Sequence, residues 1–225
     1  MTNLHQRYQT IKTKIESLTA NNRPTPRLLA VSKRHPASAI KEVFDAGHDY
    51  FAENYVQELE GKVVELSHLP IRWSFIGRLQ SNKIKKLVKV SDEIQTVASE
   101  KHARLIAQAA ASENKSRFPI FISVNAGNEA NKDGLPMSNI DSFAKFVTTE
   151  LPQLSLQGLM AIPPASYNDE AFPGLVELYQ DLRNLADNTG AGLLSLGMSN
   201  DMALAIRHGT DILRVGTAVF GPRQA

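Results

Sequence analysis

Leu28-Leu29-Ala30-Val31-Ser32-Lys33 is a short apolar run that ends in a serine and a lysine. Pro36 follows three positions after the lysine, and Ala39, Ile40, Val43 and Phe44 then recur at helical spacing. A buried strand, a short loop and an amphipathic helix account for that order of residues. The strand carries Lys33 toward its carboxyl end. A lysine there is either a surface charge or, if held in apolar surroundings, a neutral amine able to attack a carbonyl, because burial disfavours the charged form.

The same unit recurs along the chain. Strand candidates follow at Tyr50 to Glu53, Ile71 to Ile76, Glu93 to Val97, Pro119 to Val124, Leu154 to Met160, Leu193 to Gly197 and Ile212 to Val215. Helical stripes lie between them: Val56, Leu59, Val63 and Leu66; Ile84, Leu87 and Val88; an alanine-rich stretch over 99–116 with Ser99 placed as its cap; 138–150; Leu175 to Leu185; and Met202, Ala203 and Ile206. Strands joined through helices run parallel with right-handed crossovers, and eight of them suffice to close a (β/α)8 TIM barrel. An open doubly wound sheet is the alternative, but no Gly-x-Gly-x-x-Gly fingerprint marks a switch point. Before the first strand, Leu4, Tyr8, Ile11, Ile15 and Leu18 form the seam of a helix over 2–20, which is expected to fill the place of the eighth helix. The whole chain, 1–225, reads as a single barrel domain.

Composition narrows the functions. The formal net charge is +2 and the basic residues are scattered among acids, which argues against nucleic acid as a partner. There is no cysteine, so disulfides, thiolate nucleophiles and zinc–thiolate sites are excluded. No apolar run approaches the roughly 18 residues of a membrane span, and the N-terminus lacks the apolar core of a signal peptide, so a cytoplasmic protein is expected. The six histidines are too dispersed for a metal cluster and are assigned surface or capping roles, His35 being the one near Lys33.

In a barrel of this kind the loops after strands seven and eight commonly hold phosphate. Here they read Gly197-Met198-Ser199-Asn200-Asp201 and Val215-Gly216-Thr217-Ala218, each with a glycine and a hydroxyl. Either could be no more than a cap or a turn; both together, in that pair of loops, point to an anion. On the eighth strand Ile212, Arg214 and Gly216 share one face. An inward Arg214 needs a partner, either an acid such as Glu53 or a ligand heteroatom. A lysine amine, a phosphate cradle and an arginine for a ring nitrogen together suit pyridoxal 5′-phosphate.

The chain resembles the pyridoxal phosphate homeostasis protein family, single-domain barrels similar to the N-terminal domain of alanine racemase. The resemblance is carried by Ala30 to Lys33, Glu53 to Glu58, Phe75 to Lys83, Gly158 to Ile162, Ser195 to Asp201 and Arg214 to Gly221. It implies that Lys33 carries the cofactor as an aldimine, that Ser199, Gly216 and Thr217 hold its phosphate, that Arg214 faces the pyridine nitrogen, and that Asn54 and Met160 lie near the ring. Ala52 stands where glycine is expected and Ser74 where histidine is common. The loop from Asn125 to Gly134, with Glu129 and Lys132, also matches the family pattern, and reads as a solvated loop.

Racemases of this type use a second domain and a partner subunit to supply an opposing base, and no sequence for such a domain is present. The expectation is therefore a monomeric protein that holds the cofactor without a catalytic residue or metal, and that either releases it to apo pyridoxal-phosphate enzymes or buffers amino-acid metabolism. An amino-acid racemase-like enzyme and a Schiff-base aldolase are the competing readings.

Overall fold

The computed structural model describes residues 3–20, 22–127, 133–163 and 174–222; Glu129 and Lys132 lie outside them. Helix α1 (Leu4–Leu18) comes first, with the Asn3 side chain accepting from Gln6 N as its cap. Strands β1 (Arg27–Val31), β2 (Tyr50–Glu53), β3 (Arg72–Phe75) and β4 (Glu93–Val97) alternate with α2 (Ala37–Asp45), α3 (Val56–Glu65) and α4 (Ile84–Val90). Then follow α5 (Glu100–Ser112), β5 (Phe118–Val124), α6 (Ile140–Glu150), β6 (Leu154–Ala161), α7 (Leu175–Asp187), β7 (Leu193–Ser195), α8 (Met202–Arg207), β8 (Ile212–Val215) and α9 (Thr217–Phe220). Every neighbouring strand pair is parallel, and β1 closes on β8 with Arg27 opposite Ile212 and Ala30 opposite Val215. The expected barrel is what forms.

Alternation along the strands divides the apolar side chains. Leu29, Val31, Tyr50, Ala52, Phe121, Met160 and Ile212 make an inner cluster, whereas Ala30, Phe51, Trp73, Phe75 and Leu213 join the larger core beneath the helices. Ala52 therefore faces the barrel interior. Helix α1 buries Tyr8, Ile11 and Ile15 and packs on α9, α2 and α8, the place left by the short final helix. Ser99 caps α5 by accepting from His102 N, as its position implied.

The strand ends fall short of the sequence-based limits in places. β7 stops at Ser195 because Gly197 turns the chain at φ +94°. Between β5 and β6 the register shifts, Ile120 facing Leu156 but Phe121 facing Gly158, so Gln157 is the extra residue. Gly158 has no alternative there: at φ +150° a Cβ would sit 1.9 Å from Leu193 O.

Candidate functional site

At the carboxyl mouth of the barrel, a cleft of about 570 Å³ is lined by all seven residues singled out from the sequence: Lys33, Asn54, Met160, Ser199, Arg214, Gly216 and Thr217. Val31, His35, Ile76, Ile162, Met198 and Asp201 are among those that complete it. A second cleft of about 620 Å³ adjoins it, sharing Ile76, Met160 and Ile162.

Lys33 lies two residues beyond β1, half-buried, in a turn that the neighbouring Arg34 closes at φ +62°. The turn is held from outside the barrel. Ser32 N donates to Ala52 O at 3.0 Å and Ser32 Oγ to Glu53 Oε1 at 2.7 Å. Lys62 Nζ donates to Ser32 O at 2.9 Å, and Arg34 N to Glu58 Oε1 at 2.6 Å. Glu53 is fully buried; burial raises its pKa above the usual carboxylate value, and the Lys62 ammonium pulls it back.

Glu53 is thus the partner of Lys62, not of Arg214. Its strand position turns it outward, whereas Arg214 points inward. The Arg214 guanidinium instead donates from Nη1 to Ser195 O at 2.7 Å and Ser195 Oγ at 3.0 Å, and from Nη2 to Ala161 O at 2.7 Å. Complete burial brings its pKa down to about 10, with Asp201 and Tyr179 acting in the opposite direction. Carbonyls hold this cation in place without neutralising it.

The loop after β7 is built by Asp201. Its Oδ1 accepts from Met198 N at 2.6 Å and its Oδ2 accepts from the Tyr179 hydroxyl. Burial, followed by the Asp201 charge, raises the Tyr179 pKa. Asp201, and not Ser199, occupies the capping position of α8, so Ser199 sits within the turn that lines the cleft. Gly216 precedes α9, and a Cβ there would meet Val31 O at 3.2 Å.

Other sequence readings need correction. His35 and His48 are buried rather than on the surface. His35 lines the cleft and stacks on Phe220 with ring centroids 5.0 Å apart. The ends of the Asn125 to Gly134 loop are not simply solvated: Asn125 N donates to Leu135 O at 2.9 Å, Leu135 N donates to Ser123 O at 2.8 Å, and Asn125, Asp133 and Gly134 line the second cleft. Asp201 and Lys62 were not singled out from the sequence. The Glu58–Lys62 spacing of four was the one local signal for the latter. Among the described residues no group of three or more His, Asp or Glu is placed to hold a metal, and no helix is long and apolar enough to cross a membrane.

A parallel barrel with a lysine, an arginine and two glycine turns gathered at its carboxyl mouth defines a (β/α)8 protein of the ligand-binding kind. The chain belongs to the alanine racemase N-terminal domain family, whose model matches residues 6–224, and within it to the pyridoxal phosphate homeostasis proteins. It is 36% identical to the pyridoxal phosphate homeostasis protein of Haemophilus influenzae, over 98% of this chain and 96% of that one. PipY of Synechococcus elongatus, solved with pyridoxal phosphate bound, superposes with a TM-score of 0.82 at 30% identity, covering 97% of this chain and 100% of that one. Alanine racemase of Streptomyces lavendulae shares the fold, with a TM-score of 0.77 at 12% identity, covering 97% of this chain and 56% of the enzyme.

Proposed function

We propose that this protein binds pyridoxal 5′-phosphate in the 570 Å³ cleft and keeps it in a protected, exchangeable store for apo-enzymes that require it. The observation that carries the reading is the convergence of the Lys33 amine, the 197–201 and 216–217 turns and the Arg214 guanidinium on that single cleft. When bound, the group supplies a reactive aldehyde, a phosphate and a pyridine ring.

The residues present fit it. Asn54 Oδ1 is buried without a hydrogen-bond partner among the described residues, as expected of an acceptor kept for a ligand. Gly216 leaves open the space that a side chain would close against Val31. Lys33 Nζ is the nucleophile for the aldehyde carbon. Ser199, Gly216 and Thr217 serve the phosphate, Arg214 donates to the ring nitrogen, and Asn54 and Met160 flank the ring.

We assign no residue to catalysis. Of the other ionisable groups in the cleft, Asp201 accepts from Tyr179 and the Met198 N–H, and Arg214 is anchored by two carbonyls with its remaining donors left for the ring nitrogen.

The test is borohydride reduction of protein loaded with pyridoxal 5′-phosphate, followed by peptide mass mapping. The added mass is expected on the peptide containing Lys33, and both the mass and the near-visible absorption are expected to disappear in Lys33→Ala. A label on a different lysine, or none, overturns the reading. Alanine racemisation at enzyme-like rates overturns its non-catalytic part, and trapping of a sugar phosphate in place of the cofactor favours an aldolase.

A further inference from the structure

A line of polar side chains crosses the interior of the barrel beneath the cleft. Arg214 Nη1 donates to Ser195 Oγ at 3.0 Å, Ser195 Oγ donates to Gln95 Oε1 at 2.8 Å, and Gln95 Nε2 donates to Glu93 Oε1 at 2.7 Å. At the opposite face Glu93 accepts from the Tyr50 hydroxyl and pairs with Arg72. Ser195, Gln95 and Glu93 are all fully buried. Burying so many polar groups is unfavourable unless each is satisfied, and an apolar barrel core would have been simpler.

The direction of the bonds is consistent. Every donor points away from Arg214, and each intermediate group accepts on the Arg214 side and donates on the Glu93 side. The amide of Gln95 has a fixed orientation as a result: its oxygen must face Ser195 and its nitrogen Glu93. A guanidinium thereby communicates with a carboxylate through two neutral, oriented dipoles. Hydrogen bonds in such a series polarise one another in a medium of low dielectric.

We infer that Gln95 and Ser195 are positioning residues, which fix the Arg214 guanidinium and tie its charge to Glu93 so that it presents a hydrogen bond to the ring nitrogen of the bound cofactor. The inference rests on the proposed cofactor reading and deepens it. Among the described residues, the bonds of Arg214 outside this line go to the carbonyls of Ser195 and Ala161, which anchor one donor on each terminal nitrogen. Ser195 Oγ, oriented by Gln95, adds a side-chain contact to these and is the link between the guanidinium and the buried line.

The experiment compares binding of pyridoxal 5′-phosphate with binding of its carbocyclic analogue, in which a C–H replaces the ring nitrogen. Wild type is expected to prefer the natural ring. Gln95→Leu and Ser195→Ala are each expected to reduce that preference, by roughly tenfold if one charge-assisted hydrogen bond is lost, while binding of the analogue stays close to wild type. Ser195→Ala keeps the carbonyl contact with Arg214 and decides the matter if Gln95→Leu does not fold. Folded variants with an undiminished preference overturn the inference and leave the cofactor reading intact. A merely structural role for the line predicts a lower melting temperature with that same undiminished preference. Failure of the wild type to bind either compound overturns both.

Discussion

Lys62 Nζ lies 2.5 Å from Glu53 Oε1 in the layer between barrel and helices, with 7% and 0% of the two side chains exposed. The same ammonium donates to Ser32 O at 2.9 Å, and therefore holds the turn that carries Lys33. One lysine supports the backbone from which another reaches the cleft. Helix α3 supplies both Lys62 and Glu58, so the first two βα units of the barrel are joined through this contact.

Replacing Lys62 by methionine leaves a buried carboxylate without its cation, which is expected to lower stability by about 3–5 kcal/mol. Denaturant unfolding of Lys62→Met measures the loss. Glu53→Gln combined with Lys62→Met is expected to lose less than the sum of the two single changes, because the uncompensated charge is gone. Additive losses would show that the pair is not coupled.

Acidity should modify that loss in a definite direction. Burial holds the folded-state pKa of Glu53 above its ordinary value of 4.5, and Lys62 opposes the rise. The folded state therefore binds this proton more tightly than the unfolded chain, and its contribution to stability grows as pH falls from the raised value toward 4.5. Without Lys62 the rise is larger. The deficit of Lys62→Met is expected to shrink as unfolding is measured at progressively lower pH in that window.

His48 responds with the opposite sign. Its Nε2 lies 2.7 Å from Tyr50 O, and its ring packs against Tyr8 and Phe51; burial lowers its pKa below 6.5, against the pull of the Tyr50 carbonyl and Asp49. The unfolded chain takes up this proton first, so stability falls as pH drops through 6.5. His48→Gln is expected to flatten the stability profile there, by at most about 1.4 kcal/mol per pH unit. Parallel profiles of variant and wild type would refute it.

Gly77 connects the mouth of the barrel to Asn54. A Cβ at residue 77 would fall 1.9 Å from Asn54 O, a backbone atom that cannot swing aside. Gly77→Ala is expected to lower stability by about 2–4 kcal/mol and to weaken cofactor binding through Asn54, with the covalent label remaining on Lys33. Unchanged melting temperature and affinity would show that the strand ends adjust freely.

Asp201 is expected to matter to the phosphate end of the cleft. Asp201→Ala removes the acceptor for Tyr179 and for Met198 N, leaving the hydroxyl of a fully buried tyrosine unpaired, at about 1–3 kcal/mol of stability. Inorganic phosphate should compete with pyridoxal 5′-phosphate less effectively in the variant than in wild type. Equal competition would mean that the turn keeps its shape without the carboxylate.

The recurring apolar runs and helical stripes made the barrel legible in the linear chain, since a period of two or of 3.6 is a local property that each segment carries by itself. Lys33, Arg214 and the two glycine turns were legible for the same reason: each follows directly from its place at or just past a strand end. The partners of these residues were not. Glu53 was a candidate for Arg214 until the alternation of β2 turned it toward Lys62, and the line from Ser195 to Glu93 joins residues about a hundred positions apart. Such contacts depend on barrel closure and on which side chains of non-adjacent strands share one interior layer. Sequence by itself determined the elements and the groups at their ends; the closed tertiary structure decided what holds those groups still, because register and closure act between segments and leave no periodic trace within any one of them.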